Sequence, residues 1–347
     1  MDITHTLFDQ IINLDNLLLS WSEFKSGKRG KPDVQAFERN LEENLFSLHW
    51  ELKNGSYRHQ PYESFLIFDP KLRQIHKAEV RDRVIHHAVF RILYPLLDPA
   101  FVFDSYSCRV GKGTHRAVKR LENFTKSASR NYRRPCYFLK CDIRKFFSSV
   151  DHAILKELIA RRITDSNTLK LVNQIIDSFQ VNLGKGLPIG NLTSQIFANV
   201  YMDVFDKFIK HELRIKHYVR YTDDFIVLSE NKKYLEDLIP QMEMFLEQKL
   251  KLNLHPKKVT LNKLTQGIDF LGYMVLPYHQ VLRTKTKNRM FKKLGAKLKK
   301  YQLGKMDRNK LRQSVNSYLG VLKHCRSQNL RHWVKNIAFS DNLSKTN

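Results

Sequence analysis

The sequence predicts an α+β fold in which helices cover one face of an antiparallel sheet. Two short runs rich in β-branched and aromatic residues, 217–220 and 225–228, flank Tyr221-Thr222-Asp223-Asp224 and predict a β-hairpin. A third apolar run, 136–141, ends at Asp142 and predicts another strand of the same sheet. Segments with helical periodicity separate these strands, which gives the layered order of an α+β protein.

The remaining elements follow from periodicity and from turn residues. Asp69-Pro70-Lys71 predicts a turn between strands at 65–68 and 73–76. A second strand pair is predicted near 252–275, and only helices after about 284. Asp151 is the predicted N-cap of the helix that follows the first acidic strand. Earlier helices are predicted at 6–24, 33–53, 80–97, 114–128, 151–162, 167–179, 192–213 and 232–250.

The charge balance predicts a polyanionic partner. The chain has 347 residues, of which 42% are hydrophobic, so it is long enough for two or three packed subdomains. Lys and Arg number 60 against 34 Asp and Glu, a net charge of +26. Residues 284–347 carry 17 Lys or Arg against Asp307 and Asp341 alone, so more than half of the excess lies there. A cationic segment of this size favours binding to nucleic acid.

The cysteines and the N-terminus predict a reducing, cytoplasmic location. Cys108, Cys136, Cys141 and Cys325 form neither a Cys-x-x-Cys pair nor a zinc spacing. Residues 1–5 lack a basic region followed by an apolar run, and no uninterrupted apolar stretch approaches the length of a membrane span. We therefore expect no membrane association.

Three aspartates at strand ends are the strongest chemical signal. Adjacent carboxylates at Asp223 and Asp224 repel each other, so their position at a hairpin tip favours a bound cation. With Asp142 they supply the hard oxygen ligands that a two-metal phosphoryl-transfer site requires. A single Tyr-x-Asp-Asp match also fits a solvated turn, because Asp is common in turns.

Further segments, in order, make the resemblance specific. The chain resembles a reverse transcriptase of the group II intron-like bacterial class over nearly its full length. The motifs that carry this resemblance are Asp69-Pro70-Lys71-Leu72-Arg73, Arg81-Asp82-Arg83-Val84, Phe138-Leu139-Lys140-Cys141-Asp142-Ile143-Arg144-Lys145-Phe146-Phe147, Arg220-Tyr221-Thr222-Asp223-Asp224, Pro256-Lys257-Lys258 and Asp269-Phe270-Leu271-Gly272-Tyr273.

The resemblance implies a right-hand polymerase that makes DNA on an RNA template. It implies N-terminal helices and fingers at 1–101, a palm at 102–283 with finger helices inserted at about 153–185, and a basic helical thumb at 284–347. Two Mg²⁺ ions, with Mn²⁺ as an alternative, would bind the carboxylates of Asp142, Asp223 and Asp224 and the carbonyl of Ile143.

The resemblance also implies roles for residues around this site. Lys71 and Arg73 would bind the triphosphate of a dNTP, and Phe147 would pack against its sugar and exclude a 2′-hydroxyl. Lys258 would give a proton to the leaving pyrophosphate, with neighbouring Lys257 equally available. Contacts with the template–primer duplex are implied for Tyr221, Tyr273, Lys292, Lys293 and Lys299.

One motif departs from the common pattern of these enzymes. Most relatives have Gln-Gly-x-x-x-Ser-Pro, whereas this chain has Ile189-Gly190-Asn191-Leu192-Thr193-Ser194-Gln195. Ile189 and Gln195 resemble the signature of diversity-generating retroelement reverse transcriptases. These copy a template-repeat RNA with errors at its adenines, together with a small basic helical accessory protein. The resemblance places Ile189, Gly190 and Gln195 at the nucleotide, where Ile189 cannot form a hydrogen bond.

Two other readings stay open. A retron or phage-defence reverse transcriptase would make faithful cDNA, although the Val-Thr-Gly and Asn-Ala-x-x-His motifs that retron enzymes usually carry are missing from the sequence. A non-catalytic RNA-binding scaffold, like a degenerate maturase, would have no reason to keep paired carboxylates beside a polyanion. No His-Asn-His nuclease segment follows the predicted thumb.

Overall fold

The computed structural model describes residues 6–69 and 71–338. Pro70 of the predicted fingers turn, residues 339–347 of the predicted thumb and the N-terminal residues 1–5 lie outside the described residues. The helices, in chain order, are α1 (Leu7–Ile12), α2 (Leu14–Lys25), α3 (Pro32–Arg39), α4 (Leu41–Lys53), α5 (Val80–Leu97), α6 (Thr114–Ala128), α7 (Phe146–Ser149), α8 (His152–Ala160), α9 (Ser166–Asp177), α10 (Leu192–Lys207), α11 (Lys232–Leu250), α12 (Thr284–Gln302), α13 (Arg308–Leu322) and α14 (Gln328–Ala338).

The strands form three antiparallel sheets in the described part of the chain. They are β1 (Glu63–Ile67), β2 (Arg73–Lys77), β3 (Tyr137–Asp142), β4 (Tyr218–Tyr221), β5 (Asp224–Ser229), β6 (Thr260–Lys263), β7 (Ile268–Phe270), β8 (Tyr273–Leu276) and β9 (His279–Leu282). The fingers hairpin is the pair β1–β2, and the palm sheet has the order β4-β5-β3-β6. A third sheet has the order β7-β8-β9.

The palm sheet is covered on both faces, so the prediction of helices on one face is wrong. Leu139 and Phe225 pack into a core shared with α5, α10 and α11. Phe138 and Ile226 pack into a second core with α6, the third sheet, α12 and α13. Successive strand residues point to opposite faces, so a run that is apolar at every position buries both faces.

Several predicted helices are shorter than their apolar periodicity suggested. The helix predicted at 6–24 is broken at Asn13, whose side chain accepts a hydrogen bond from the amide of Asp15 (2.7 Å) and begins α2. The helix predicted at 33–53 is broken at Asn40. The helix predicted at 192–213 ends as α10 at Lys207, followed by a π-helical turn at Phe208–Glu212. Apolar spacing continues across each break, so periodicity alone does not reveal it.

Other elements agree closely with their predictions. α5, α6 and α11 have their predicted bounds, and the side chain of Asp151 caps α8 by accepting from the amide of Ile154 (3.2 Å). The strand pair predicted near 252–275 is instead β6, in the palm sheet, and the separate sheet β7–β9. That sheet packs with α12 and α13 in one apolar core, which joins the palm to the basic C-terminal helices. Within the described ranges, no helix has the length and apolar character needed to cross a membrane.

Candidate active site

The strand pairing brings the three predicted aspartates to one end of the palm sheet. Thr222 and Asp223 form the turn between β4 and β5, and Thr222 has a left-handed backbone (φ 58°). Asp142, the last residue of β3, lies directly opposite Asp224 in the pairing of β3 with β5. The amide of Ile143 donates to the carbonyl oxygen of Asp223 (3.1 Å), which ties the two acidic segments together.

A buried ion pair that the sequence analysis missed holds the turn in place. Arg220 is 1% exposed, and its Nε and Nη2 donate to the two carboxylate oxygens of Asp206 (2.7 and 2.6 Å), which is 0% exposed. Arg220 Nη1 also donates to the carbonyl of Thr222 (2.9 Å), and the Thr222 hydroxyl donates to Ser107 (2.6 Å). The turn is therefore fixed from the interior. In the sequence, Arg220 lies within an apolar strand and Asp206 lies on an apolar helix. The spacing between the two residues does not predict that they pair.

Lysines already contact two of the three carboxylates. Lys258 Nζ lies 2.7 Å from Asp142 Oδ1, and Lys140 Nζ lies 3.3 Å from Asp224 Oδ2. Lys140 also donates to the carbonyl of Asp269 (2.6 Å). Of the two neighbouring lysines that the sequence left equivalent, Lys258 is the one whose side chain reaches an aspartate. Lys257 uses its backbone amide to donate to His255 Nδ1 (3.2 Å).

The carboxylates carry an unfavourable charge that a cation would relieve. Burial raises the pKa of Asp224 to about 6, against the opposing attraction of Lys140. Burial and the charge of Asp142 raise the pKa of Asp223, whereas Lys258 and Arg73 lower it. Asp224 Oδ1 is buried and has no hydrogen-bond partner among the described residues. An unpartnered carboxylate oxygen beside two further carboxylates is chemically suited to hard divalent cations such as Mg²⁺.

The three carboxylates do not form a closed metal-binding site in this arrangement. Across residues 6–69 and 71–338, no three Asp, Glu, His or Cys side chains are grouped closely enough to hold one ion as they stand. The amines of Lys258 and Lys140 balance Asp142 and Asp224 instead. A divalent ion at these carboxylates would compete with the two amines for the same oxygens. The side chain of Ile143 is aliphatic, so only its backbone carbonyl could serve as the predicted further ligand.

The predicted nucleotide residues lie on the fingers hairpin, in α7 and around the start of α10. Lys71 and Arg73 are exposed on the fingers hairpin. The positive charge of Arg73 acts to lower the pKa of Asp223. Phe147 is half-buried in α7 beside Phe146, with ring centroids 5.3 Å apart. Gln195 is half-buried in the first turns of α10.

The loop that precedes α10 lies against the fingers strand β2. The carbonyl of Ile189 accepts from the amide of His76 (3.3 Å). Gly190 has φ +114°, and a Cβ placed there would lie 3.2 Å from Ile75 Cγ2. The positive φ and the close approach to Ile75 both favour glycine at this position.

The predicted nucleic-acid contacts divide into two groups. Lys292, Lys293 and Lys299 are exposed on α12, where Lys293 forms an ion pair with Asp69 of the fingers turn. Tyr221 is half-buried, and its hydroxyl accepts from Thr114 (3.3 Å).

The side chain of Tyr273 lies in the interior of the protein. Its side chain is 2% exposed, and its hydroxyl donates to the carbonyl of Val321 (3.1 Å) at the end of α13. Burial raises the pKa of Tyr273 to about 12. The residue joins the third sheet to the C-terminal helices, and its contact with a primer stays a prediction.

Comparison with known proteins identifies the family. The family model described as reverse transcriptase (RNA-dependent DNA polymerase) matches residues 68–275. The chain is 23% identical over 269 residues to the protein YkfC of Escherichia coli (strain K12), which covers 65% of this chain and 69% of YkfC. It is 24% identical over 303 residues to the group II intron-encoded protein LtrA of Lactococcus lactis subsp. cremoris, which covers 67% of this chain but only 49% of LtrA.

The fold has solved relatives. The structure of apo telomerase from Candida tropicalis superimposes with a TM-score of 0.51 at 14% identity, covering 85% of this chain and 61% of the telomerase chain. At this identity the likeness shows the fold alone, and it confirms the predicted α+β right-hand polymerase architecture. The chain spans about half the length of LtrA and three fifths of the telomerase chain. Because the family model covers most of the chain, this protein belongs to the reverse transcriptase family of RNA-dependent DNA polymerases.

Proposed function

We propose that the protein is the reverse transcriptase of a diversity-generating retroelement, which copies a template-repeat RNA into cDNA with errors at the template adenines. The observation that carries DNA synthesis is the group of Asp142, Asp223 and Asp224 at one end of the palm sheet. The observation that favours the mutagenic class is Ile189 and Gln195 in a motif where most relatives have Gln and Pro.

The chain supplies residues for each part of nucleotidyl transfer. The three aspartates would hold divalent ions that activate the primer 3′-hydroxyl and neutralise the leaving pyrophosphate. Lys71 and Arg73 would bind the triphosphate from the fingers. Lys258, released from Asp142, would donate a proton to the pyrophosphate. Phe147 would pack against the sugar and disfavour a ribonucleotide.

Ile189 supports reduced discrimination at the nucleotide. Its backbone carbonyl accepts from the amide of His76, and its half-buried side chain is aliphatic, so that side chain could form no hydrogen bond with a nucleotide. A site that forms hydrogen bonds with its substrate discriminates far better than one that only fills space. Replacing Gln by Ile at this position therefore removes a polar test of base-pair geometry.

The partners follow from charge and from the proposed class. The exposed lysines of α12 would bind the phosphates of an RNA/cDNA duplex without reading sequence. Template RNA, dNTPs and a small basic helical accessory protein complete the proposed system, in the cytoplasm. Mg²⁺ is the proposed metal, with Mn²⁺ as a second candidate.

DNA synthesis on an adenine-containing RNA template tests the proposal. Wild-type protein is incubated with primer, dNTPs and Mg²⁺, and the products are sequenced. Asp223→Ala is the inactive variant, and Asp237→Ala, an exposed aspartate of α11, is its matched control. We expect DNA from the wild type and from Asp237→Ala, with errors concentrated opposite adenine.

The other outcomes separate the competing functions. Faithful DNA would retain the polymerase and favour a retron or phage-defence role. If no DNA is made even after the cognate RNA and accessory protein are added, the RNA-binding scaffold is favoured. DNA synthesis at an undiminished rate by Asp223→Ala would contradict the assignment of the active site.

A further inference from the structure

Asn191 stands at the start of α10 but does not cap it. The residue has the extended backbone of an N-cap (φ −96°, ψ 147°), and asparagine is among the residues preferred there. Its side chain nevertheless forms no capping hydrogen bond with the helix. It is 3% exposed, and its Nδ2 donates to the backbone carbonyl of His76 on β2 (3.3 Å).

This bond is one of two hydrogen bonds that fasten the loop 189–191 to β2. The amide of His76 donates to the carbonyl of Ile189 (3.3 Å), so both backbone groups of His76 are used by the loop. Gly190 lies between these bonds, close to Ile75 Cγ2. Asn191 is the only one of the three loop residues that makes its contact through a side chain, and so the only one whose link a substitution removes cleanly.

The fingers strand carries a proposed site residue at one end and is fixed near the other. Arg73 is its first residue. At its other end, the ring of His76 hydrogen-bonds Ser64 (2.8 Å) on β1 and packs on Phe179, with ring centroids 4.5 Å apart. The strand therefore connects the proposed triphosphate-binding arginine to the loop that carries Ile189.

The junction between the loop and β2 is not closely packed on all sides. A cavity of about 490 Å³ borders the junction and is lined in part by Phe65, Ile75, His76, Gly190 and Asn191. An unfastened loop would have room to shift into it. The hydrogen bond from Asn191 consequently has more influence on the position of Ile189 than it would in a close-packed interior.

We infer that Asn191 is a specificity-determining positioning residue, which fastens the Ile189 loop to the fingers strand and so limits how far the polymerase departs from correct base pairing. The inference rests on the proposed function, DNA synthesis at this site. The aliphatic side chain of Ile189 can select a nucleotide only by its shape. Selection by shape requires that the side chain is held in a defined position. Loosening the link should raise misincorporation opposite every template base, since the link acts on the loop rather than on a particular base.

Asn191→Ser separates this role from helix stability. Serine is also a preferred N-cap, so α10 keeps a capping residue, but its shorter side chain lacks the amide that reaches His76. Asn231→Ser is the matched control, because Asn231 does cap its helix, α11, by accepting from the amide of Tyr234 (3.1 Å). The full chain is used, and kcat/KM is measured for correct and incorrect dNTPs opposite each of the four RNA bases.

We expect Asn191→Ser to raise the ratio of incorrect to correct kcat/KM about fivefold at all four bases, the effect of one neutral hydrogen bond. Its unfolding temperature and its rate with correct dNTPs should stay near those of the wild type. Asn231→Ser should leave the ratio unchanged. An unchanged ratio in folded, active Asn191→Ser would overturn the inference, as would an equal loss of correct and incorrect incorporation.

Hydrogen exchange gives a readout that does not depend on activity. In Asn191→Ser, the amides of 73–77 should exchange faster than in the wild type and in Asn231→Ser, because the loop protects β2. Unaltered exchange there would overturn the inference even if no synthesis is detected. A wild type without adenine bias would instead remove only the proposed retroelement function, since the Asn191 ratio is compared with the wild type at each base.

Discussion

The molecule contains two hairpins that are held in opposite ways. In the palm hairpin β4–β5 most residues are buried, and the Arg220–Asp206 pair fixes its turn from within. In the fingers hairpin β1–β2 every residue of β1 is exposed, and Phe68 just beyond it is 74% exposed. The palm hairpin is thus built to hold carboxylates rigidly, whereas the fingers hairpin presents a surface that another molecule could cover.

The fingers hairpin is anchored mainly at its base. Tyr62, just before β1, hydrogen-bonds His59 Nε2 (3.2 Å), which in turn hydrogen-bonds His86 Nε2 (3.2 Å) on α5. Asp82 accepts from the backbone amide of Gln60 (3.1 Å). The comparison predicts that palm substitutions affect catalysis and stability strongly, and that fingers substitutions affect substrate binding more than folding.

The largest expected effect is on turnover at the palm. Asp142→Asn should lower kcat by at least about a thousandfold, because a proposed metal-binding carboxylate is lost. Arg73→Ala on the fingers should instead raise KM for dNTPs by about 10- to 100-fold with a smaller change in kcat, the loss of one charge-assisted hydrogen bond. Steady-state primer extension measures both, with Asp237→Asn on exposed α11 as the control. An equal loss of kcat in the two variants would show that Asp142 and Arg73 do not have these different roles.

Next in size is the effect of removing the palm ion pair. Arg220→Met should lower the free energy of unfolding by about 3–5 kcal/mol, because Asp206 is left as an unpaired buried charge. Arg161→Met, at an exposed pair with Glu157, should cost no more than about 0.5 kcal/mol. Urea unfolding followed by circular dichroism measures both. Similar costs for the two variants would show that the palm turn is not held from within.

Buried titratable residues at the base of the fingers hairpin should make the free energy of unfolding depend on pH. Burial, with the charges of His59, His87 and Arg83, lowers the pKa of His86 well below its usual value, and burial raises the pKa of nearby Asp82. Because unfolded His86 takes up a proton that the folded residue does not, its contribution to stability is present above pH 6.5 and is lost as pH falls below it. The slope is at most about 1.4 kcal/mol per pH unit.

The variant His86→Leu isolates this contribution. Unfolding curves between pH 5 and pH 7 should be flatter for His86→Leu than for the wild type, while Asp82 acts in the opposite direction in both proteins. The other charged and titratable neighbours, Arg81, Tyr57 and Tyr62, are unchanged by the substitution. An identical slope in wild type and variant would show that His86 is not the source.

The smallest expected effect is at the exposed end of the fingers. Phe68→Ser should change the free energy of unfolding by less than about 0.5 kcal/mol, whereas Phe225→Ala, fully buried in the palm hairpin, should cost about 3–5 kcal/mol. Thermal and urea unfolding compare the pair. A large cost for Phe68→Ser would show that the Phe68 side chain packs against other parts of the protein, contrary to its exposure.

Local patterns in the sequence predicted the chemistry better than the arrangement around it. The acidic strand end at Asp142 and the hairpin at 221–224 were recognisable because turn residues interrupt continuous apolar runs. The same runs should also have predicted burial of both sheet faces, since strict alternation is the mark of a sheet with one solvated face.

Long-range partners were not recoverable from spacing. Arg220 and Asp206 pair across 14 residues in different elements, and Asn191 reaches His76 across 115. Both pairs join different elements, so the period of a helix or a strand does not indicate either contact. The burial of Tyr273 was not predictable for a related reason, because a matching motif does not show which core encloses a side chain.

The most direct test is the error spectrum of Ile189→Gln, measured beside the wild type on one RNA template. Both proteins should make DNA at similar rates, and Gln at this position should lower misincorporation opposite adenine by about tenfold or more. The proposed chemistry lies at Asp142, Asp223 and Asp224, and the proposed selection lies at the loop that precedes α10. Unchanged adenine errors in fully active Ile189→Gln would contradict the proposed role of Ile189.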